Sequence, residues 1–289
     1  MVRDTADPGA DECGALIALW SNARVQFISM GSAPRLRIAR AGEGPPLLLI
    51  NGLGANLEMW KPFVREVSGR EVIAFDLPGV GQSARSRWPM RMPALARLVT
   101  QLLDRLGHER IDVLGYSLGG LLAQELAHRA PERVARLVLC ATIPGVPSFP
   151  PNLLVTMLML SPSRYYDRRL AELIVPIIAG GRTARDRRTL DEGLEPRLSQ
   201  PPTAIGYLHQ LYAISGWSSH PWIRGLRQPT LVVHGDRDPV VPLINGRYLA
   251  RAIPNGTLRV IRGAGHLFLL DQPASAVPVI EAFLGGHQL

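Results

Sequence analysis

Apolar positions in this chain fall into two rhythms that alternate over most of its length. Pro46-Leu47-Leu48-Leu49-Ile50 and Pro229–His234 are continuous apolar runs and read as buried strands. Glu71–Asp76, Ile111–Leu114, Val134–Ala141 and a last run, Thr257–Ile261, have the same strand-like length and β-branched content. Val25–Ser29 and Arg35–Ala39, ahead of them, read as an antiparallel pair. Met92–Leu106 carries helical spacing, and Leu121–Ala127 opens another helix. Strands alternating with helices predict an α/β fold: a mostly parallel sheet, right-handed crossovers and helices on both faces.

The alternation stops at Thr142. From there to about Gly225 the chain is broken by Pro144, Pro147, Pro150, Pro151 and Pro162 and carries helical apolar stretches at Leu153–Leu160, Leu173–Ile178 and Ile205–Ile214. Strand character resumes at Gln228. A helical stretch inserted after the sixth strand is expected to cap the site below it. The expected division is a loosely held tail over 1–24, a core over 25–142 and 226–289, and a helical cap over 143–225.

One junction in this pattern carries chemistry. Gly115-Tyr116-Ser117-Leu118-Gly119, followed by Gly120, lies between an apolar strand and an apolar helix. A serine on such a turn is forced into a strained backbone that lifts its hydroxyl clear of the sheet, and the glycines let the helix pass close by. Serine is a poor nucleophile at neutral pH, so it needs a base within reach and an acid to orient that base. Both are available at later strand ends. Pro229–His234 runs into Gly235-Asp236-Arg237-Asp238-Pro239, and Thr257–Ile261 ends at Gly263-Ala264-Gly265-His266. Parallel α/β sheets gather their sites at such ends.

His266 is therefore the expected base. The other histidines have poorer positions: His234 within a strand, His108, His128 and His287 at helix ends or the terminus, His209 and His220 in the insertion. The acid falls to Asp238 or Asp236. Asp236 directly follows the strand, where a carboxylate braces the turn, so Asp238 is preferred. No Asp or Glu occurs between Cys140 and Tyr166, which removes any acid after the preceding strand. The oxyanion donors are expected to be the backbone N–H groups of Leu118 and of Leu53, the latter in the turn Asn51-Gly52-Leu53-Gly54.

Gly79-Val80-Gly81-Gln82-Ser83-Ala84 imitates a dinucleotide fingerprint. Arg85-Ser86-Arg87-Trp88-Pro89 follows where a helix should open, so the segment is expected to be a turn, with Asp76 structural and no cofactor bound. No HExxH, paired CxxC or carboxylate cluster points to a metal.

Composition changes the picture little. The 289 residues are 46% hydrophobic, enough to bury a large core as one domain with an insertion. The net charge of +8 raises the question of nucleic acid, and Lys61 is the only lysine among 32 basic residues. The densest run, Arg164 to Arg188, is interrupted by Asp167 and Asp186 and comes with no nucleic-acid motif; it is expected to be a solvated face. No apolar run reaches membrane-spanning length, and the acidic start (Asp4, Asp7, Asp11, Glu12) has no signal-peptide core. With only Cys13 and Cys140, the latter in an apolar strand, a reducing cytoplasm is expected.

With these residues in view, the chain from about Val25 to Leu284 resembles the α/β-hydrolase superfamily. Asn51–Glu58, Val72–Gly81, Gln228–Leu231, Pro242–Asn245 and Gly265–Leu269 are similar to segments of intracellular poly(3-hydroxyalkanoate) depolymerases, as is Gln210–Ala213 followed by Gly216-Trp217. Asn51 matters most, because most relatives place His there. The resemblance implies Ser117 as nucleophile, Asp238 as acid and His266 as base. It also implies hydrolysis of 3-hydroxyacyl esters at a polyester granule surface. Leu118 departs from the bulkier Trp of those enzymes, which bears on preferred acyl length. The rival readings are a small-molecule carboxylesterase, lipase or lactonase with the same machinery and, more remotely, a non-catalytic ligand-binding homologue.

Overall fold

The computed structural model describes residues 23–31 and 33–287. Most of the expected tail, with Cys13 and the acidic start, lies outside the described residues. Among the described residues eight strands form one sheet: β1 (Arg24–Met30), β2 (Ala33–Ala41), β3 (Pro46–Ile50), β4 (Glu71–Phe75), β5 (Ile111–Tyr116), β6 (Val134–Cys140), β7 (Thr230–Gly235) and β8 (Gly256–Ile261). Their spatial order is β1-β2-β4-β3-β5-β6-β7-β8. Only β2 runs against its neighbours, pairing β1 and β4 antiparallel; every other pairing is parallel.

Burial follows position in this order. Every residue of the interior strands β5 and β7 is buried, which is why their sequences do not alternate. The edge strand β8 buries only Ile261. Among the described residues ten α-helices accompany the sheet: α1 (Lys61–Glu66), α2 (Met92–Leu106), α3 (Leu118–Arg129), α4 (Leu153–Leu160), α5 (Arg168–Ala179), α6 (Arg187–Ser199), α7 (Ala204–Ile214), α8 (Leu243–Ala252), α9 (Phe268–Asp271) and α10 (Pro273–Leu284). Helix α2 buries Leu95, Leu98, Val99, Leu102 and Leu103 on one face and ends at Gly107, whose φ of 76° suits glycine.

The stretch between β6 and β7 folds as α4–α7. Each of these helices starts from a side-chain cap: Asn152 Oδ1 accepts from Val155 N, Asp167 Oδ1 from Leu170 N, Asp186 Oδ1 from Arg188 N and Thr203 Oγ1 from Gly206 N. Helix α6 is not among the helical stretches predicted above: its apolar stripe, Leu190, Leu194 and Leu198, is short, set among charges and interrupted by Pro196. Leu190 and Leu194 pack on Ala171 and Val175 of α5, and exposed ion pairs of Arg187 with Asp191 and Glu172, and of Arg188 with Glu192, lie on its outer side. The insertion seats on loops at the carboxyl ends of β3 and β4. Thr203 N donates to Gly79 O at 2.8 Å, and Asn56 Nδ2 donates to the carbonyls of Pro196 and Gln200 at 2.9 and 2.8 Å. Among the described residues no helix is long and apolar enough to cross a membrane.

The basic run needs one correction. Arg168, Arg182, Arg187 and Arg188 lie on the surface in ion pairs with Glu172, Asp186, Asp191 and Glu192, but Arg164 is buried at 1% exposure. Its guanidinium donates to the carbonyls of Leu158 and Ser161 and to the Tyr207 hydroxyl, and stacks over the Tyr165 ring. Arginine spacing does not reveal such a site, because the Tyr207 hydroxyl that completes it comes from α7.

Candidate active site

Ser117 stands at the junction of β5 and α3 with φ 54° and ψ −117°, a backbone conformation that side chains rarely adopt. Surrounding bonds hold it there. Ser117 N donates to Cys140 O at 2.8 Å, and the Ser117 carbonyl accepts from Gly120 N and from Thr142 Oγ1. The glycines allow the close approach this requires. A Cβ on Gly119 would stand 2.0 Å from Ile50 O, one on Gly115 2.4 Å from Gly119 O, and one on Gly120 2.5 Å from the Thr142 side chain.

His266 bridges the serine and an aspartate 28 positions upstream of itself. His266 Nδ1 lies 2.8 Å from Asp238 Oδ2, and His266 Nε2 lies 3.2 Å from Ser117 Oγ. Facing a carboxylate, Nδ1 carries the proton, which leaves Nε2 bare to accept from the serine hydroxyl. The Asp238 side chain is fully enclosed, and its Oδ1 accepts from Val240 N and Val241 N, both at 2.8 Å. Those bonds aim Oδ2 at the imidazole. Asp236, the alternative acid, turns away to accept from Gly263 N at 2.6 Å.

The base is held from two further sides. Tyr116 Oη donates to the His266 carbonyl at 2.7 Å, and its ring lies 5.4 Å from the imidazole. His266 N donates to Ala179 O, at the end of α5. Gly265 exists for that approach: a Cβ there would stand 2.0 Å from Ala179 O. Gly263, by contrast, supplies a φ of 71° in open space.

The turn after β3 is braced at every residue. Asn51 Nδ2 donates to Asn56 O, and Asn51 Oδ1 accepts from Gly52 N. Gly52 passes so near the elbow that a Cβ would stand 3.3 Å from Ser117 Cβ. The Leu53 carbonyl accepts from Tyr165 Oη at 2.6 Å, and Gly54 N donates to Gln210 Oε1 at 2.7 Å. Neither Leu53 N nor Leu118 N has an acceptor among the described residues. Two unspent backbone donors thus flank the serine.

Behind the turn lies a buried ionic group. Arg37 pairs with Glu58 and Asp76, while Asp76 also accepts from Leu57 N and Gln82 N. Complete burial pushes the Asp76 carboxyl up to about 7, against the pull of Arg37. Gly79–Ala84 is a turn wrapped around this aspartate, and a Cβ on Gly81 would stand 2.2 Å from its Oδ2. His234 is buried, and burial lowers its proton affinity; Nε2–H donates to Val241 O. His209 contacts Ser86 across a small cleft shared with Leu77, Met90 and Gln210, and His220 contacts Tyr248, both away from Ser117 in the bonding pattern. Burial likewise pushes the free Cys140 thiol well up. Among the described residues no cluster of metal-ligating side chains occurs.

A family model described as the alpha/beta hydrolase fold matches residues 45–178 and 184–273. The chain belongs to the α/β-hydrolase family. This hydrolase is 44% identical over 240 residues to a poly(3-hydroxyalkanoate) depolymerase of Ectopseudomonas oleovorans, covering 83% of this chain and 84% of that one. It is 33% identical over 272 residues to a 2-hydroxymuconate semialdehyde hydrolase of Pseudomonas putida, covering 86% and 90%. Among solved structures it is similar to a thermophilic esterase from Thermogutta terrifontis, with a TM-score of 0.77 at 27% identity over 91% of this chain and 99% of that one. The bracing roles of Tyr116, Tyr165, Gln210 and Thr142 at the hydrolase's site are not read from the sequence. Each acts through one hydrogen bond across a distant pair of elements, and no local motif marks such a bond.

Proposed function

We propose that this hydrolase is a serine esterase that cleaves poly(3-hydroxyalkanoate) through an acyl-enzyme and releases 3-hydroxy acids. The observation that carries the reading is His266, which touches Ser117 Oγ with one ring nitrogen and Asp238 with the other. In this reading Ser117 gives its proton to His266 Nε2 as Oγ attacks the ester carbonyl. The N–H groups of Leu53 and Leu118 receive the oxyanion, and Asp238 stabilises the imidazolium. His266 then protonates the leaving alkoxide, and water repeats the sequence on the acyl-enzyme. Every proton moves among Ser117, His266, the alcohol and water, so the reading assigns no step to a metal or cofactor.

Two features support a polymeric, apolar substrate. The first is the likeness to the depolymerase over most of both chains. The second is the outer face of the insertion. Leu153, Leu154, Met157 and Leu160 on α4 are between 55% and 75% exposed, and Phe149 and Leu173 beside them are exposed as well. An uncharged apolar face of this kind suits adsorption to a polyester granule better than solvent. The helical insertion then serves as the cap over the site, and the setting is cytoplasmic, at the granule.

The test is incubation with amorphous medium-chain polyester granules. Release of 3-hydroxy acids by the wild type, and none by Ser117→Ala, supports the reading. Turnover of p-nitrophenyl octanoate with no release from granules favours a small-ester or lactone hydrolase, the reading that the esterase likeness supports.

A further inference from the structure

The end of α5 is tied at successive points to the loop that carries His266. His266 N donates to Ala179 O at 2.6 Å. Gly181 passes so close to Gly265 that a Cβ on it would stand 2.2 Å from Gly265 N. A Cβ on Gly180 would stand 2.6 Å from Arg237 O, in the loop that carries Asp238. Leu267, the residue after the imidazole, packs into the small apolar cluster of Ala171, Val175, Ala179, Leu190 and Leu194 between α5 and α6. Asp271 closes the run: its Oδ2 accepts from Thr183 Oγ1 at 2.6 Å and from Thr183 N at 3.1 Å.

The last of these contacts is the costly one. Asp271, at the end of α9, is buried at 9% exposure, and its Oδ1 is enclosed without a hydrogen-bond partner among the described residues. Burial pushes its carboxyl above the ordinary aspartate range, against the Thr183 bonds and the charge of Arg182. An apolar side chain would fill this place at less cost, as Leu267 does nearby. What the carboxylate adds is direction: one oxygen fixes two donors of a single residue, and with them the turn that follows α5. That turn starts at the carbonyl to which the His266 backbone donates. From the other side Tyr116 Oη, next to the nucleophile, holds the His266 carbonyl. The imidazole therefore hangs between a fixed elbow and a fixed end of α5, with 3.2 Å from Nε2 to Ser117 Oγ. A shift of about 1 Å at a reacting group costs up to about a hundredfold in rate.

We propose that Asp271 is a positioning residue for the reaction: through Thr183 it fixes the end of α5, and with it the reach of His266 to Ser117. It acts through other residues and not on the ester itself. The proposal rests on His266 acting as the base and is independent of which ester is cleaved. It joins the insertion to the catalytic geometry through α5, beside the contacts it makes with the loops after β3 and β4.

The experiment reads kcat per active site, titrated with a fluorophosphonate, so that unfolded protein does not count. On p-nitrophenyl octanoate, Asp271→Ala should lower kcat by about tenfold to a hundredfold with KM changed less than about threefold. Thr183→Val keeps the shape and the backbone bond and should lower kcat by about threefold to tenfold. Thr183→Ser and Asp271→Asn keep a hydroxyl and an acceptor oxygen, and each should stay within about twofold of the wild type. The double variant Asp271→Ala with Thr183→Val should be no slower than Asp271→Ala, because both changes remove one contact. The Nδ1 proton of His266, read at low field by NMR, should shift or broaden in Asp271→Ala and return in Asp271→Asn. Unchanged kcat per site and an unchanged proton signal, with only a lower melting temperature, would make the contact structural and overturn the proposal. An Asp271→Asn as slow as Asp271→Ala also overturns it. If Asp271→Ala does not fold, Thr183→Val decides: wild-type kcat per site there overturns the role. Should Ser117→Ala retain turnover, the serine-esterase reading fails and this role with it. A Ser117-dependent enzyme whose Asp271→Ala and Thr183→Val variants keep wild-type kcat ends this proposal alone.

Discussion

Asp238 Oδ2 lies 2.8 Å from His266 Nδ1, while Oδ1 of the same carboxylate accepts from two backbone N–H groups. The aspartate is thus locked as a fixed negative partner for an imidazolium. Asp238→Asn keeps the size and loses the charge, and an amide nitrogen facing Nδ1 favours the wrong tautomer. The expected result is a fall in kcat of about 10³-fold or more on p-nitrophenyl octanoate with KM little changed. Asp236→Asn, which touches only the Gly263 turn, should cost less than about tenfold.

The oxyanion turn gives a second prediction. Asn51→Ala removes both the bond to Asn56 O and the clasp on Gly52 N. The donors remain but lose their fixed aim, so kcat should drop about tenfold to a hundredfold, less than outright loss of an oxyanion donor. Steady-state kinetics beside a thermal melt separate misaim from unfolding: the melting temperature should shift little.

How much of this could be read from the chain differs by residue. Ser117, Asp238 and His266 each follow a strand of one parallel sheet, so their meeting at one edge follows from topology that the apolar runs already display. The reason for Gly265 was not legible: its missing side chain makes room for the end of α5, an element about 85 positions away in the chain. Arg164 and Arg197 were not legible. Their burial depends on Tyr165 and Tyr207, brought together from separate elements of the insertion, and an arginine in a charged stretch carries no local sign of that. Helix α6 was hidden for another reason: its apolar stripe is only Leu190, Leu194 and Leu198, spread among charged residues and Pro196.

Glycine at 119 sets a stability prediction. A methyl there would meet Ile50 O at 2.0 Å, and backbone cannot move aside as a side chain can. Gly119→Ala should destabilise the fold by about 1–3 kcal/mol, read as a lower melting temperature. Unaltered stability would mean that α3 is free to shift off β3.

Asp76 supplies a pH signature. Its carboxyl is pushed up to about 7 by burial from an ordinary value of 3.8, so between these limits the folded state holds a proton that the unfolded chain releases. Stability contributed by this group is therefore highest below about pH 4 and is lost as pH rises toward 7, at no more than about 1.4 kcal/mol per unit. Relative to Asp76→Asn, which does not titrate, the wild type should lose stability over that window in denaturant titrations. A difference that is flat in pH would show that Asp76 stays ionised throughout.

The apolar face of α4 can be tested by reversing its character. Leu153→Glu with Met157→Glu should lower the ratio of granule to soluble-ester turnover by about tenfold, since two exposed apolar contacts are replaced by charges. An unchanged ratio would move granule contact elsewhere on the molecule.

The most direct test asks whether Ser117 carries the acyl group. The enzyme is quenched with acid during turnover of p-nitrophenyl octanoate and digested, and its peptides are weighed by mass spectrometry. The account predicts an octanoyl adduct on Ser117 that is absent from Ser117→Ala, together with loss of turnover in that folded variant. An unmodified Ser117 peptide beside an adduct on another residue, or a Ser117→Ala protein that still turns over at a substantial rate, would contradict it.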